Sequence, residues 1–157
     1  MPNAVELIAI PEQTIAYLSV HGSVRKMQEP FAQLFAAVAE TGLSPAGPPM
    51  GRFDLNLSDP DDADYEVAVP ITLGAHGTMP KNAQHVRSGT LPAHFALVTT
   101  HEGPYTEIGA GYAALTKELN SLGYAVTGPA SEVYLVGSDS GAAPADFVTE
   151  VRLPVAR

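Results

Sequence analysis

Along the chain, alternating apolar and polar positions give way to helical spacing and return to alternation, and the whole progression happens twice. β-like runs cover Val5 to Ile10 and Thr14 to Val20. Phe31, Leu34, Phe35 and Val38 then recur at i, i+3, i+4 and i+7, with Pro30 near the start of this predicted helix and Gly42 just past its end. A Gly47-Pro48 turn leads to a short strand, Arg52 to Leu57, and then to the strict alternation of Tyr65-Glu66-Val67-Ala68-Val69. The second passage reads the same way: Val86 to Leu91, Phe95 to Thr100, then a stripe of Tyr112, Leu115, Leu119 and Leu122 stopped by Gly123. Gly128-Pro129, a strand Glu132 to Val136, and Thr149-Glu150-Val151-Arg152-Leu153 complete it.

The two passages are in register. The offset that carries Val5 onto Val86 also carries Pro11 onto Pro92, Gly22 onto Gly103, Gly42 onto Gly123, Gly47-Pro48 onto Gly128-Pro129, and Phe53 onto Tyr134. It then lengthens, carrying Glu66-Val67 onto Glu150-Val151 and Pro70 onto Pro154, which fits an insertion around Ser138 to Ala145. Glycine and proline mark turns through their backbone angles, so a shared framework of both implies a shared chain path. The expectation is one α+β domain, 1–157, of two pseudo-twofold strand–helix–strand repeats. These are about 1–70 and 82–157, joined by the Gly-rich stretch Gly74 to Asn82. An antiparallel sheet carries helices on one face and a ligand groove on the other.

Alternation in the final strands selects the chemistry. Val67 and Val69, or Val151 and Leu153, face the helix, so Glu66 and Glu150 face the opposite side. One helix per repeat covers one sheet face only, and paired uncovered faces can close around a pocket. Glu150 is then either a pocket carboxylate, an exposed residue on a half-wet strand, or the partner of Arg152 two residues on. Tyr105, Tyr134, Phe53, Tyr17 and Tyr65 are candidate aromatic walls, since ring faces attract cations and supply apolar area. Core packing is the alternative for each, and Tyr112 reads as helix core.

Composition narrows the options. With 157 residues the chain can bury a core without metal or disulfide, and the absence of cysteine excludes thiol catalysis and Cys-based zinc sites. Net charge is −9, from 17 acidic and 8 basic residues, a balance that repels phosphate backbones; no direct nucleic-acid partner is expected. No apolar stretch approaches a membrane span and no signal peptide is visible, which reads as a cytoplasmic chain without a membrane partner. His21, His76, His85, His94 and His101 lack metal-ligand spacing, so no metal is expected. Gly109 to Ala114 fits G-x-G-x-x-A, but no strand feeds into it, and no cofactor is expected. Ser138-Asp139-Ser140 reads as a turn rather than a nucleophile elbow.

The ordered set L-P-A-H-F-A-L-V-T-T-H-E-G-P-Y-T-E-I, L-G-Y…G-P and T-E-V-R-L-P-V, met in both repeats over residues 5–156, resembles the GyrI-like domain. This is the effector-binding domain of bacterial AraC-type and MerR-type multidrug regulators. The first repeat departs from the pattern at Val20 to Val24, V-H-G-S-V in place of H-x-G-P-Y. The resemblance implies capture of hydrophobic, cationic, aromatic small molecules, with Glu150 as the acidic pocket floor; Tyr134, Phe53, Tyr105, Glu66 and Tyr17 are the further candidate ligand contacts read from the residues themselves. It also implies two alternatives. One is a hydrolase of strained cyclopropane-bearing natural products, with Glu150 as base and Tyr105 or Tyr134 orienting water. The other is a protein that protects gyrase by interaction. With the domain starting at residue 5, a stand-alone form without a DNA-binding helix-turn-helix is expected, as a monomer or a homodimer.

Overall fold

A computed structural model describes residues 4–55, 59–72, 85–137 and 140–157. The expected linker at 74–82, with His76, and the turn residues Ser138 and Asp139 lie outside the described residues. The elements in chain order are β1 (Glu6–Ile10), β2 (Gln13–Gly22), α1 (Gln28–Glu40), β3 (Ser44–Pro45), β4 (Met50–Phe53), β5 (Ala63–Thr72), β6 (Arg87–Leu91), β7 (His94–Glu102), α2 (Gly109–Leu122), β8 (Ala125–Val126), β9 (Ala130–Val136) and β10 (Val148–Ala156). The fold is α+β: two helices accompany strands whose recorded pairings are all antiparallel.

The chain forms two compact units, Glu12–Pro92 and Met1–Pro11 with Ala93–Arg157. The sequence repeats and these units do not share boundaries. β1 pairs with β7, Glu6 opposite Val98, and β6 pairs with β2, Gln13 opposite Leu91. The junctions explain why neither pair of consecutive strands closes into a hairpin. A two-residue hairpin loop wants Gly, Asn or Asp at positive φ. Here the links are Pro11-Glu12 and Pro92-Ala93, and none of these residues has positive φ. The proline ring fixes φ near −65°, so the chain runs on.

In the unit Glu12–Pro92, β5 lies between β2 and β4, with Leu18 opposite Val67 and Gly51 also opposite Val67. α1 buries Leu34, Ala37 and Val38 against Ala16, Leu18, Val67 and Val69, with Phe31 and Phe35 packed at the edge. Phe53 stacks on Tyr65 at 5.7 Å, and the Tyr65 hydroxyl donates to the Ser23 carbonyl at 3.2 Å. Gly51 makes room for this packing. A Cβ there would stand 2.7 Å from Phe53 Cζ and 2.8 Å from Met27 Cε, far inside contact distance. The departure segment Val20 to Val24 is tied to the loop before β5. Val24 N–H donates to Pro60 O at 2.8 Å, Ser23 Oγ donates to Asp61 at 3.1 Å, and exposed His21 bridges Asp62 and Asp64 at 2.7 Å each.

In the other unit, β10 lies between β7 and β9, and α2 packs Leu115 on Leu97, Val151 and Leu153. Gly123 ends α2 at φ 70, its N–H returning to Leu119 O, as the sequence led one to expect. Leu122, expected on the buried stripe, is exposed at the last turn. β1 completes this unit by placing Ile10 on Ala96 and Val98, and the Thr99 hydroxyl donates to Ala4 O at 2.9 Å. Ile10→Ala should therefore lower the unfolding free energy by about 2–5 kcal/mol. In hydrogen exchange followed by mass spectrometry, the accompanying loss of protection should fall on 94–98 and spare 13–17.

Candidate functional site

The strand register of β7, β10 and β9 writes two rows across one sheet face. Thr149 stands opposite His101 on one side and Tyr134 on the other, and Val151 stands opposite Thr99 and Glu132. Because Val151 packs on Leu115 of α2, this is the helix-covered face. α2 comes close over it at Gly111, beside Thr99 and Val151. A β-bulge between Val148 and Thr149 shifts the pairing where the two rows begin.

Glu132 is the centre. Its Oε2 accepts the Tyr112 hydroxyl at 2.5 Å, and its Oε1 accepts the Tyr134 hydroxyl at 3.1 Å. No lysine or arginine among the described residues is within ion-pairing distance of it. Burial raises its pKa above the ordinary value of 4.5, against the opposing pull of the Tyr112 and Tyr134 hydrogen bonds and of His101. Burial, and then the nearby Glu132 charge, holds both tyrosine hydroxyls protonated by raising their pKa values well above 10.0. Around the carboxylate stand more rings: Tyr105 meets Tyr134 edge-on at 5.5 Å and lies tilted over Phe147 at 5.0 Å. His101, buried beside Thr149, hydrogen-bonds Pro104 O through Nε2 at 3.0 Å. Thr149 is fully buried, and its hydroxyl has no hydrogen-bond partner among the described residues.

Of the residues expected from sequence, Tyr105 and Tyr134 come together here. Glu150 does not: it lies on the face away from α2, and Arg152 Nε donates to its Oε1 at 2.7 Å. Glu66 is held in the same way by Arg52 at 2.6 Å. In each case a neighbouring arginine compensates the charge. Phe53 is buried in the core of the unit Glu12–Pro92, stacked on Tyr65. Tyr17, on β2, lies next to Gly89 of β6, where a Cβ would stand 3.2 Å from its ring. Glu132 and Thr149 were not singled out by sequence reasoning, Tyr112 read as helix core, and His101 was weighed only as a metal ligand. One signal was available. The offset that carries Phe53 onto Tyr134 carries Gly51 onto Glu132, so a carboxylate stands where the first repeat has no side chain at all.

The GyrI-like small molecule binding domain model matches residues 3–156. The chain belongs to this GyrI-like family. No curated protein sequence matches it. Among solved structures, the GyrI-like chain resembles EcmrR in its DNA complex with a TM-score of 0.86 at 19% identity, covering 98% of this chain and 57% of that one. It thus spans a little over half the length of EcmrR, and the crystal structure of the EcmrR C-terminal domain alone gives 0.81 at 19% identity, covering 100% and 99%. A hydrolase encoded by lin2189 from Listeria innocua gives 0.74 at 15% identity, covering 99% and 93%. SAV2435 bound to tetraphenylphosphonium gives 0.57 at 12% identity, covering 98% and 94%. At these identities the likeness is one of fold.

The raised pKa of Glu132 has a definite sign in stability. Between the unfolded and folded pKa values the folded state binds more protons, so stability falls as pH rises through that window. This contribution is fully present below about 4.5 and is lost above the folded pKa. The unfolding free energy of the wild type minus that of Glu132→Gln should therefore decline from pH 4 toward neutrality and then level off. Denaturant titrations of both proteins across that range measure it.

Proposed function

We propose that this GyrI-like domain binds an aromatic organic cation, with Glu132 as the counter-charge and Tyr105, Tyr112, Tyr134 and Phe147 as the surrounding rings. One observation carries the reading: a half-buried carboxylate compensated by phenol hydroxyls and by no arginine or lysine among the described residues, while Glu66 and Glu150 each have their own arginine. An ionised carboxylate in such a place is costly, and a bound cation offsets that cost. Ring faces add cation–π attraction, and the net charge of −9 draws cations toward the protein.

The internal repeat supports a functional reason for these polar residues. At matched register the row His101–Thr149–Tyr134 corresponds to Val20–Tyr65–Phe53, and Thr99–Val151–Glu132 to Leu18–Val67–Gly51. Tyr112 corresponds to Phe31. The same strand arrangement is thus filled by an apolar cluster in one case and by a carboxylate with hydroxyl groups in the other. Packing alone does not demand the polar set. The GyrI-like family description and the tetraphenylphosphonium bound by SAV2435 point the same way.

A second reading has its own support: a half-buried carboxylate with a raised pKa beside phenol hydroxyls is a candidate general base, and one fold relative is described as a hydrolase. Two hydrogen bonds already accepted by Glu132 lower its basicity, which favours capture over turnover. Glu132→Gln keeps the shape of the side chain and removes its charge. It should weaken binding of phenethylammonium by roughly 1–3 kcal/mol in calorimetry and leave phenethyl alcohol nearly unchanged, whereas Glu150→Gln should affect neither. Equal weakening of both ligands by Glu132→Gln would remove the cation assignment. Hydrolysed product in excess of protein, from a cyclopropane-bearing substrate, would establish the enzyme reading instead.

A further inference from the structure

Thr149 is the one buried hydroxyl in this cluster that the described residues leave unpaired. A hydroxyl taken out of water without a partner costs the folded protein free energy, so its retention calls for a reason. Its neighbours are committed elsewhere. The Tyr134 hydroxyl is given to Glu132, and His101 Nε2 is bonded to Pro104 O. The matched position in the other unit shows the packed alternative. There Tyr65 stands in place of Thr149, and its hydroxyl reaches the carbonyl of Ser23, the residue that corresponds to Pro104. Where His101 takes that carbonyl, Thr149 is short enough to be left over, on the sheet face that also carries Glu132. Thr149 and Glu132 are diagonal neighbours across β10 and β9, a relation that sets backbones about 7–8 Å apart.

We infer that Thr149 and Glu132 together select protonated primary or secondary amines over quaternary cations. This rests on the cation-binding reading above and narrows its ligand class. An ammonium with two N–H groups gives one to the Glu132 carboxylate and one to the Thr149 oxygen, pairing the orphan hydroxyl. A quaternary onium has the charge and no N–H, so it neutralises Glu132 and leaves Thr149 as it was. The preference runs against simple desolvation, because a compact ammonium is held more strongly by water than its methylated counterpart. Rings and a carboxylate alone would favour the quaternary ion.

The test compares phenethylammonium with its N,N,N-trimethyl derivative by titration calorimetry, on the wild type, Thr149→Val and Thr149→Ser. Thr149→Val replaces the hydroxyl by a methyl group of similar size. The wild type should bind the ammonium about tenfold or more tightly than the quaternary ion, the scale of one hydrogen bond to a charged group. Thr149→Val should abolish or reverse that ratio, leave the quaternary affinity unchanged and raise the melting temperature, since an unpaired buried hydroxyl is gone. Thr149→Ser should keep the preference. An unchanged ratio in Thr149→Val, or a lower melting temperature from an otherwise folded variant, overturns the inference while cation binding stands. If neither probe binds the wild type, the cation site itself falls and this inference with it.

Discussion

The half-buried carboxylate of Glu132 is the constraint around which the unit Met1–Pro11 with Ala93–Arg157 is arranged. A carboxylate beneath a helix must be hydrogen-bonded to be tolerated, and its two oxygens recruit Tyr112 from α2 and Tyr134 from its own strand. Those bonds fix more than a charge. They pin α2 over β9 at a polar contact, while Gly111 brings the same helix down onto Thr99 and Val151. They also turn Tyr134 so that Tyr105 meets it edge-on and Phe147 backs Tyr105. The β-bulge at Val148 and Thr149 lies where this ring cluster and the two rows meet.

Glu66, Glu132 and Glu150, three of the strand glutamates, show how context decides what a carboxylate can do. Glu66 and Glu150 sit on the sheet faces away from the helices, where an arginine one strand over or two residues along reaches them. Such pairs are charge-neutral and half-buried. Glu132 sits under α2, where no described cation reaches it. The difference comes from strand parity: Glu132 shares its face with Val151, and Glu150 does not.

Much of the fold was legible because it rests on punctuation and periodicity. Gly42 and Gly123 end their helices where the sequence placed the stops, both at positive φ. Phe31, Leu34 and Val38 lie on the packed side of α1. The pairing of β1 with β7, and of β6 with β2, was not legible, because period-2 alternation says which face a residue takes and nothing about which strand lies alongside. Pro11 and Pro92 were read as markers of a common path, while their chemistry also argues against hairpins at those points. The site was half legible. Tyr105 and Tyr134 stood out as aromatics at turn and strand positions, but Glu132 hid within an apolar stretch whose β9 parity was not followed. The alternation of β10 makes Glu150 the conspicuous carboxylate, and the structure pairs it with Arg152. Thr149 carries no sequence signal at all, since an unpaired hydroxyl is a property of its neighbours.

The partnering of β1 with β7 also orders events during synthesis. Residues 6–10 leave the ribosome long before residues 94–98 exist, and by then the stretch 12–92 has been made in full. β1 must therefore remain unpaired while another compact unit forms beside it in time. With Leu7 on one face and Ile8 and Ile10 on the other, it is an apolar strand with an open edge during that interval. The unit that carries Glu132 closes only when the earliest of these strands is gathered in by β7, so its assembly waits on a pairing of high sequence separation.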